Sequence, residues 1–166
     1  MPHPPLVVVM GVSGCGKSTI GSQLATSLSV EFVDADDLHP ASNVRAMAAG
    51  RPLTDDDRWP WLDDVGGALA AASHTGLVMA CSALKRSYRD AIRTHAPDVH
   101  FIHLVGTAEL LSQRIEARTG HFMPAELLDS QLATLEPLAS DERGITVAIG
   151  PTPDEIVREI AGRLGH

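Results

Sequence analysis

The stretch from Val7 to Thr19, VVVMGVSGCGKST, restricts the fold more than any other part of this chain. A short apolar run leads into G-x-x-x-x-G-K-[ST], a phosphate-binding loop, and a helical pattern opens at Lys17. The glycines let the backbone turn tightly and aim successive N–H groups inward. With the helix N-terminus behind them, those groups make a nest for anionic oxygens. The stretch therefore assigns Gly11, Val12, Ser13, Gly14, Cys15, Gly16, Lys17, Ser18 and Thr19 to a nucleotide site. Lys17 brings a mobile positive charge to the terminal phosphates, and Ser18 is a ligand for the magnesium ion that travels with them.

Strands and helices alternate around this loop. Leu6 to Met10 is continuously apolar, as a central parallel strand covered on both faces must be. Further strands are expected at Glu31–Val33, Leu77–Ala80, Val99–Val105 and Ile145–Ile149, each separated from the next by helical patterns. Such alternation implies right-handed crossovers and a parallel sheet in a single α/β domain over residues 1–166. Ligands of these folds bind beyond the C-terminal strand ends. GVSGCGKS (11–18), DADDLHP (34–40) and CSALK (81–85), each following a strand, should therefore meet at one edge.

The net charge of −8 argues against a nucleic-acid or anionic-membrane partner. Two cysteines in 166 residues do not make a disulfide framework, which points to a reducing cytosol. The expectation is a cytoplasmic protein with no signal peptide and no membrane span. The one asparagine, Asn43, precedes Val44, so the Asn-Lys-x-Asp motif of guanine-reading GTPases is absent. The third strand runs into Cys81-Ser82 rather than Asp-Glu, which disfavours a motor ATPase. A compact small-molecule kinase fits better.

Seven motifs then follow in order. They are GVSGCGKS, DADDLHP, Asn43-x-x-x-Met47, Gly50-x-Pro52-Leu53-x-Asp55-Asp56-Asp57-Arg58, Pro60-Trp61-Leu62, CSALK-x-x-Tyr88-Arg89-Asp90 and Gly120-His121-Phe122. In this series the chain resembles the P-loop gluconate kinase family, related to the shikimate and nucleoside monophosphate kinases. The resemblance implies transfer of a phosphoryl group from ATP, with Mg2+, to D-gluconate. It also implies a three-layer fold with a five-stranded parallel core, a helical substrate-binding segment (about 36–64), a lid (about 114–135) and a homodimer. Two positions depart from the pattern: Cys15 stands where a small hydroxyl or alanine is frequent, and Ala35 where glycine is frequent. The alternatives are a kinase for shikimate or another small polyol or acid, and a nucleotide-dependent regulatory protein without turnover.

Asp34 and Asp36 follow a strand at i, i+2 and can face one side. Asp36 is the residue chosen to orient the acceptor hydroxyl, accept its proton and touch magnesium through water; otherwise it caps the next helix. His39 either bonds a sugar-acid hydroxyl or fixes its own turn before Pro40. Asp55 to Asp57 read as a solvated helix start. Arg58, Lys85 and Arg89 are cations for the acid's carboxylate, the last two otherwise pairing with Asp90 or another surface acid. Arg114 and Arg118, at i, i+4, are lid arginines for the phosphates or simple partners of Glu109 and Glu116. His121 and Gln131 are further lid residues that reach substrate on closure.

Overall fold

The computed structural model describes residues 4–116 and 125–165. Five strands form one parallel sheet in the order β2-β3-β1-β4-β5. They are β1 (Leu6–Met10), β2 (Glu31–Asp34), β3 (Leu77–Ala80), β4 (His100–Val105) and β5 (Gly144–Ala148). The helices are α1 (Lys17–Leu28), α2 (Ala41–Ala48), α3 (Asp55–Ala71), α4 (Arg86–His95), α5 (Ala108–Glu116), α6 (Ala125–Thr134) and α7 (Pro153–Arg163). A 3-10 turn spans Ala35–Leu38.

The period-2 geometry of β1 divides the core. Val7 and Val9 face one layer with Ile20 and Leu24 of α1, Leu111 of α5 and Ile156 and Ile160 of α7. Leu6, Val8 and Met10 face the other with Leu62, Val65 and Leu69 of α3 and Tyr88 and Ile92 of α4. Every residue of β1 is buried, so its apolar run has no polar face to show. Helix α3 begins at Asp55, inside the acidic run. Thr54 accepts from the Asp57 N–H at 3.2 Å, and Asp57 accepts from the Thr54 N–H at 2.9 Å. This reciprocal cap starts the helix at Asp55 and leaves Pro60 beyond its first turn.

Candidate active site

The loops after β1, β2 and β3 do meet at one sheet edge. They enclose a cleft of about 260 Å³ lined by Ser13, Gly14, Gly16, Lys17, Ser18, Asp34, Asp36 and Ala80–Ser82, with Gln131 of α6 across it. The phosphate loop is tied down from below, because the Gly11 N–H donates to the Ser82 carbonyl at 3.2 Å. Gly14 holds φ 85 and Gly16 φ 90, left-handed values that favour glycine. A Cβ on Gly14 would also lie 2.8 Å from Ile115 Cγ1. Val12 and Cys15 are buried, so their side chains belong to the core and the Cys15 substitution leaves the cradle unchanged. The Cys15 N–H donates to the Val12 carbonyl at 3.3 Å.

Lys17 Nζ donates to the carbonyl of Val12 at 3.2 Å, folding the side chain back over its own loop. Ser18 Oγ donates to Asp34 Oδ2 at 2.9 Å, while Asp34 Oδ1 accepts from the Asp36 N–H at 3.0 Å. Asp34 thus ties the loop after β2 to the phosphate loop, a link that sequence reading left out of the site. The i, i+2 spacing at a strand end was its only signal. Burial, then the neighbouring Asp34, hold the Asp36 carboxyl above the ordinary carboxylate range; His39 and Lys17 act against this. The Cys81 thiol is pushed up to about 12 by burial and stays protonated, so this buried sulfur is no nucleophile.

His39 stacks on Trp61 with ring centroids 4.1 Å apart. Trp61 is fixed in turn, its Nε1–H donating to the buried Ala35 carbonyl at 2.7 Å. Beyond His39 lies a charged cluster. Arg58 Nη1 donates to Asp55 Oδ1 at 3.1 Å and to Tyr88 Oη at 3.2 Å, and Lys85 Nζ is 3.6 Å from Asp55 Oδ2. Tyr88 donates its hydroxyl proton to Asp55. Both cations lie over the Tyr88 ring, at 5.5 and 5.6 Å from its centroid. The tyrosine hydrogen bond comes first among the causes that hold the Asp55 carboxyl low, with Lys85 and Arg58 adding to it. The Asp55–Asp57 run therefore caps a helix, as expected, and also gathers two cations at its start.

Three further candidate residues are held by partners distant in sequence. Arg89 is not among the residues lining the cleft. It is fully buried, pairs with Glu142 through Nε (2.8 Å) and Nη2 (3.0 Å), and donates Nη1 to the Ala83 carbonyl at 2.9 Å. Gln131 is placed on the nucleotide side: its Oε1 accepts from the Ser13 N–H at 2.7 Å. Arg114 donates to the carbonyl of Ile149 in the loop after β5, rather than pairing with Glu109. Arg118 and His121 lie outside the described residues.

The donor set beside the phosphate loop is a hydroxyl and carboxylates, hard oxygen ligands that suit Mg2+. Among the described residues no group of three or more His, Cys, Asp or Glu could hold a metal ion. That is compatible with Mg2+, which binds through one or two carboxylates together with substrate phosphates. No helix among the described residues is long and apolar enough to cross a membrane.

The family described as AAA domain matches residues 6–138. The chain is 47% identical to the gluconokinase of Gluconobacter oxydans (strain 621H), across 95% of this chain and 89% of the relative. It is 44% identical to a probable gluconokinase of Xenopus tropicalis, across 96% and 93%. The crystal structure of a gluconokinase from Sinorhizobium meliloti 1021 superposes with a TM-score of 0.88 at 49% identity, covering 97% of this chain and 93% of that one.

Proposed function

The chain belongs to the gluconokinase family of P-loop kinases, and on that premise we propose that it transfers the γ-phosphoryl group of ATP to the terminal hydroxyl of D-gluconate. The observation that carries this reading is the order of groups along the site. The phosphate loop with Lys17 and Ser18 comes first, then Asp34 and Asp36, then His39, then the Arg58–Lys85 pair. Gluconate is a chain with a hydroxyl at one end and a carboxylate at the other. That order offers a base to the first and cations to the second.

In the transfer, the gluconate oxygen attacks the γ-phosphorus in line, the new O–P bond forms and the β,γ-bridging bond breaks. Asp36 accepts the hydroxyl proton, a role suited to a carboxylate held above its ordinary range. Backbone N–H groups of the phosphate loop and Lys17 bind and orient the phosphates. Magnesium, when bound, neutralises phosphate charge, and Ser18 with Asp34 and Asp36 would hold it. The likeness to the family also supports a homodimer, and a lid from about 114 to 135 in which Arg118 and His121 approach the substrates.

ADP release measured over a panel of aldonic acids, shikimate and nucleoside monophosphates tests the assignment. Gluconate is expected to give the highest turnover. Faster turnover of shikimate or a nucleotide overturns it, and no ADP release with any acceptor leaves the non-catalytic nucleotide-binding alternative.

Two variants divide the site. Asp36→Asn is expected to lower kcat by about 10²-fold, within the range for lost general-base help. It should also remove the acidic limb of the kcat profile. That limb falls as pH drops through the raised Asp36 value, because only the ionised form accepts the proton. An unchanged kcat moves the role to Asp34. Lys85→Ala is expected to raise KM for gluconate with little change in kcat, since a cation facing the carboxylate binds ground and transition states alike. A rise in KM for ATP instead would put Lys85 on the nucleotide side.

A further inference from the structure

Asn43 sits on α2, is buried, and has none of the chemistry just described. Its side-chain amide nitrogen lies 2.9 Å from the Asp57 backbone carbonyl and 3.2 Å from His39 Nδ1. A carbonyl only accepts, so the group facing it is the NH2 end of the amide. The two N–H bonds of that end then serve the two neighbours, one each. The nitrogen of His39 that meets Asn43 must therefore be the acceptor of the ring.

From this geometry we propose that Asn43 is a positioning residue that locks His39 in the Nε2–H tautomer, so that His39 presents the substrate with a hydrogen-bond donor and no acceptor. The proposal rests on the reading of this cleft as a gluconate site, and it specifies what His39 does there. Among the described residues the Nε2 side has no hydrogen-bond partner, and the ring cannot swing freely because it is stacked on Trp61. Trp61 is itself pinned to the Ala35 carbonyl, one residue before Asp36. The donor, the base and the start of α3 are thus held in one frame by Asn43 and Trp61. A fixed donor beside Asp36 suits a polyol, whose hydroxyl oxygen accepts from His39 while its proton remains for a carboxylate. It also discriminates against an acceptor that brings an N–H to that place, since two donors would then face each other.

The test begins with the ligand-free wild-type protein labelled with 15N-histidine, the His39 signals being identified by their loss in His39→Gln. At neutral pH Nδ1 is expected to give a pyridine-type shift and Nε2 a pyrrole-type shift. Asn43→Ala should mix the two tautomers and raise KM for gluconate about 3- to 10-fold, the worth of one neutral hydrogen bond, with KM for ATP unchanged. His39→Gln, whose amide nitrogen can stand where Nε2 stood, should keep more gluconate affinity than His39→Asn, whose shorter amide cannot. A wild-type ring protonated at Nδ1 overturns the proposal. So does a single unchanged tautomer in Asn43→Ala, or a His39→Asn variant that binds gluconate better than His39→Gln. If Asn43→Ala fails to fold, the wild-type shifts and the two His39 variants still decide. The tautomer is read without substrate, so a wild-type protein that prefers another acceptor overturns the gluconate assignment alone.

Discussion

Lys17→Ala is expected to lower kcat by about 10³-fold or more while leaving the fold intact, the scale of loss seen when one cation is removed from a phosphoryl-transfer site. The reason lies in where the charge acts. Among the described residues the Lys17 ammonium donates only to the Val12 carbonyl, a bond on the rim of a polar cleft. Its removal leaves no buried partner without its counter-charge, so thermal stability should stay near that of the wild type. In the reaction the same ammonium faces phosphate oxygens on which charge is being redistributed, inside a cleft whose other charged side chains, Asp34 and Asp36, are acidic. The rate term is therefore large and the folding term small. Steady-state ADP release, nucleotide affinity by calorimetry and a thermal melt on the same preparation separate the two. A well-folded variant with near-wild-type kcat overturns the assignment of the phosphate loop.

Arg89→Ala should do the reverse, with a loss of about 3–5 kcal/mol of stability, the usual cost of breaking a buried ion pair from one side. Arg89 holds more than Glu142. It donates to the carbonyls of Ala83 and Leu84 in the loop after β3, and to that of Pro137 in the segment after α6. Ala83 has φ 45, a left-handed value that is unfavourable for alanine and persists only where surrounding bonds enforce it. Without the guanidinium, Glu142 keeps only Arg93 (2.7 Å) and the Ala139 N–H (2.8 Å), and the Ala83 carbonyl loses its donor, while that of Leu84 still accepts from the Glu136 N–H at 2.7 Å. Urea unfolding measures the loss. Arg89→Met with Glu142→Leu should cost less than Arg89→Ala alone, because no charge is then stranded.

The pH dependence gives a second check on the same cluster. Burial pushes the Glu142 carboxyl up, but hydrogen bonds from Arg89, the Ala139 N–H and Arg93 together outweigh it and hold the carboxyl down, at about 2. Its folded value lies below its unfolded one, so its contribution is fully present above the unfolded value. It is lost as pH falls from the ordinary glutamate range toward 2. Arg89→Ala should flatten that acid slope. Equal stability and equal slope in the variant would mean that the pair contributes nothing net.

Much of this protein was legible before any fold was known. The apolar run of Leu6–Met10 reads as a strand covered on both faces, and the glycines after it as a tight turn, because both properties are local. The cap of α7 by Thr152 is local as well, as is the opening of α1 at Lys17, which appears where expected. Lys17, Ser18 and Asp36 line one cleft because they flank strand ends that a parallel sheet must bring together. What the sequence could not assign were the partners of its cations. Arg89 stands next to Asp90, and adjacency along the chain suggested a surface pair or a substrate contact. In the fold its partner is Glu142, 53 residues away, because α4 and the segment before β5 close over the same loop. Gln131 and Arg114 were likewise read from the helices that carry them, and were placed instead by Ser13 and Ile149. A guanidinium or an amide satisfies whichever acceptor or donor the tertiary structure buries beside it. Residue type and spacing therefore determined the strands, the caps and the phosphate loop, whose bonds close within a few residues. The long-range closures of Arg89 on Glu142 and Gln131 on Ser13, and the joining of His39 to α3 through Asn43, exist only once the sheet and its helices have packed.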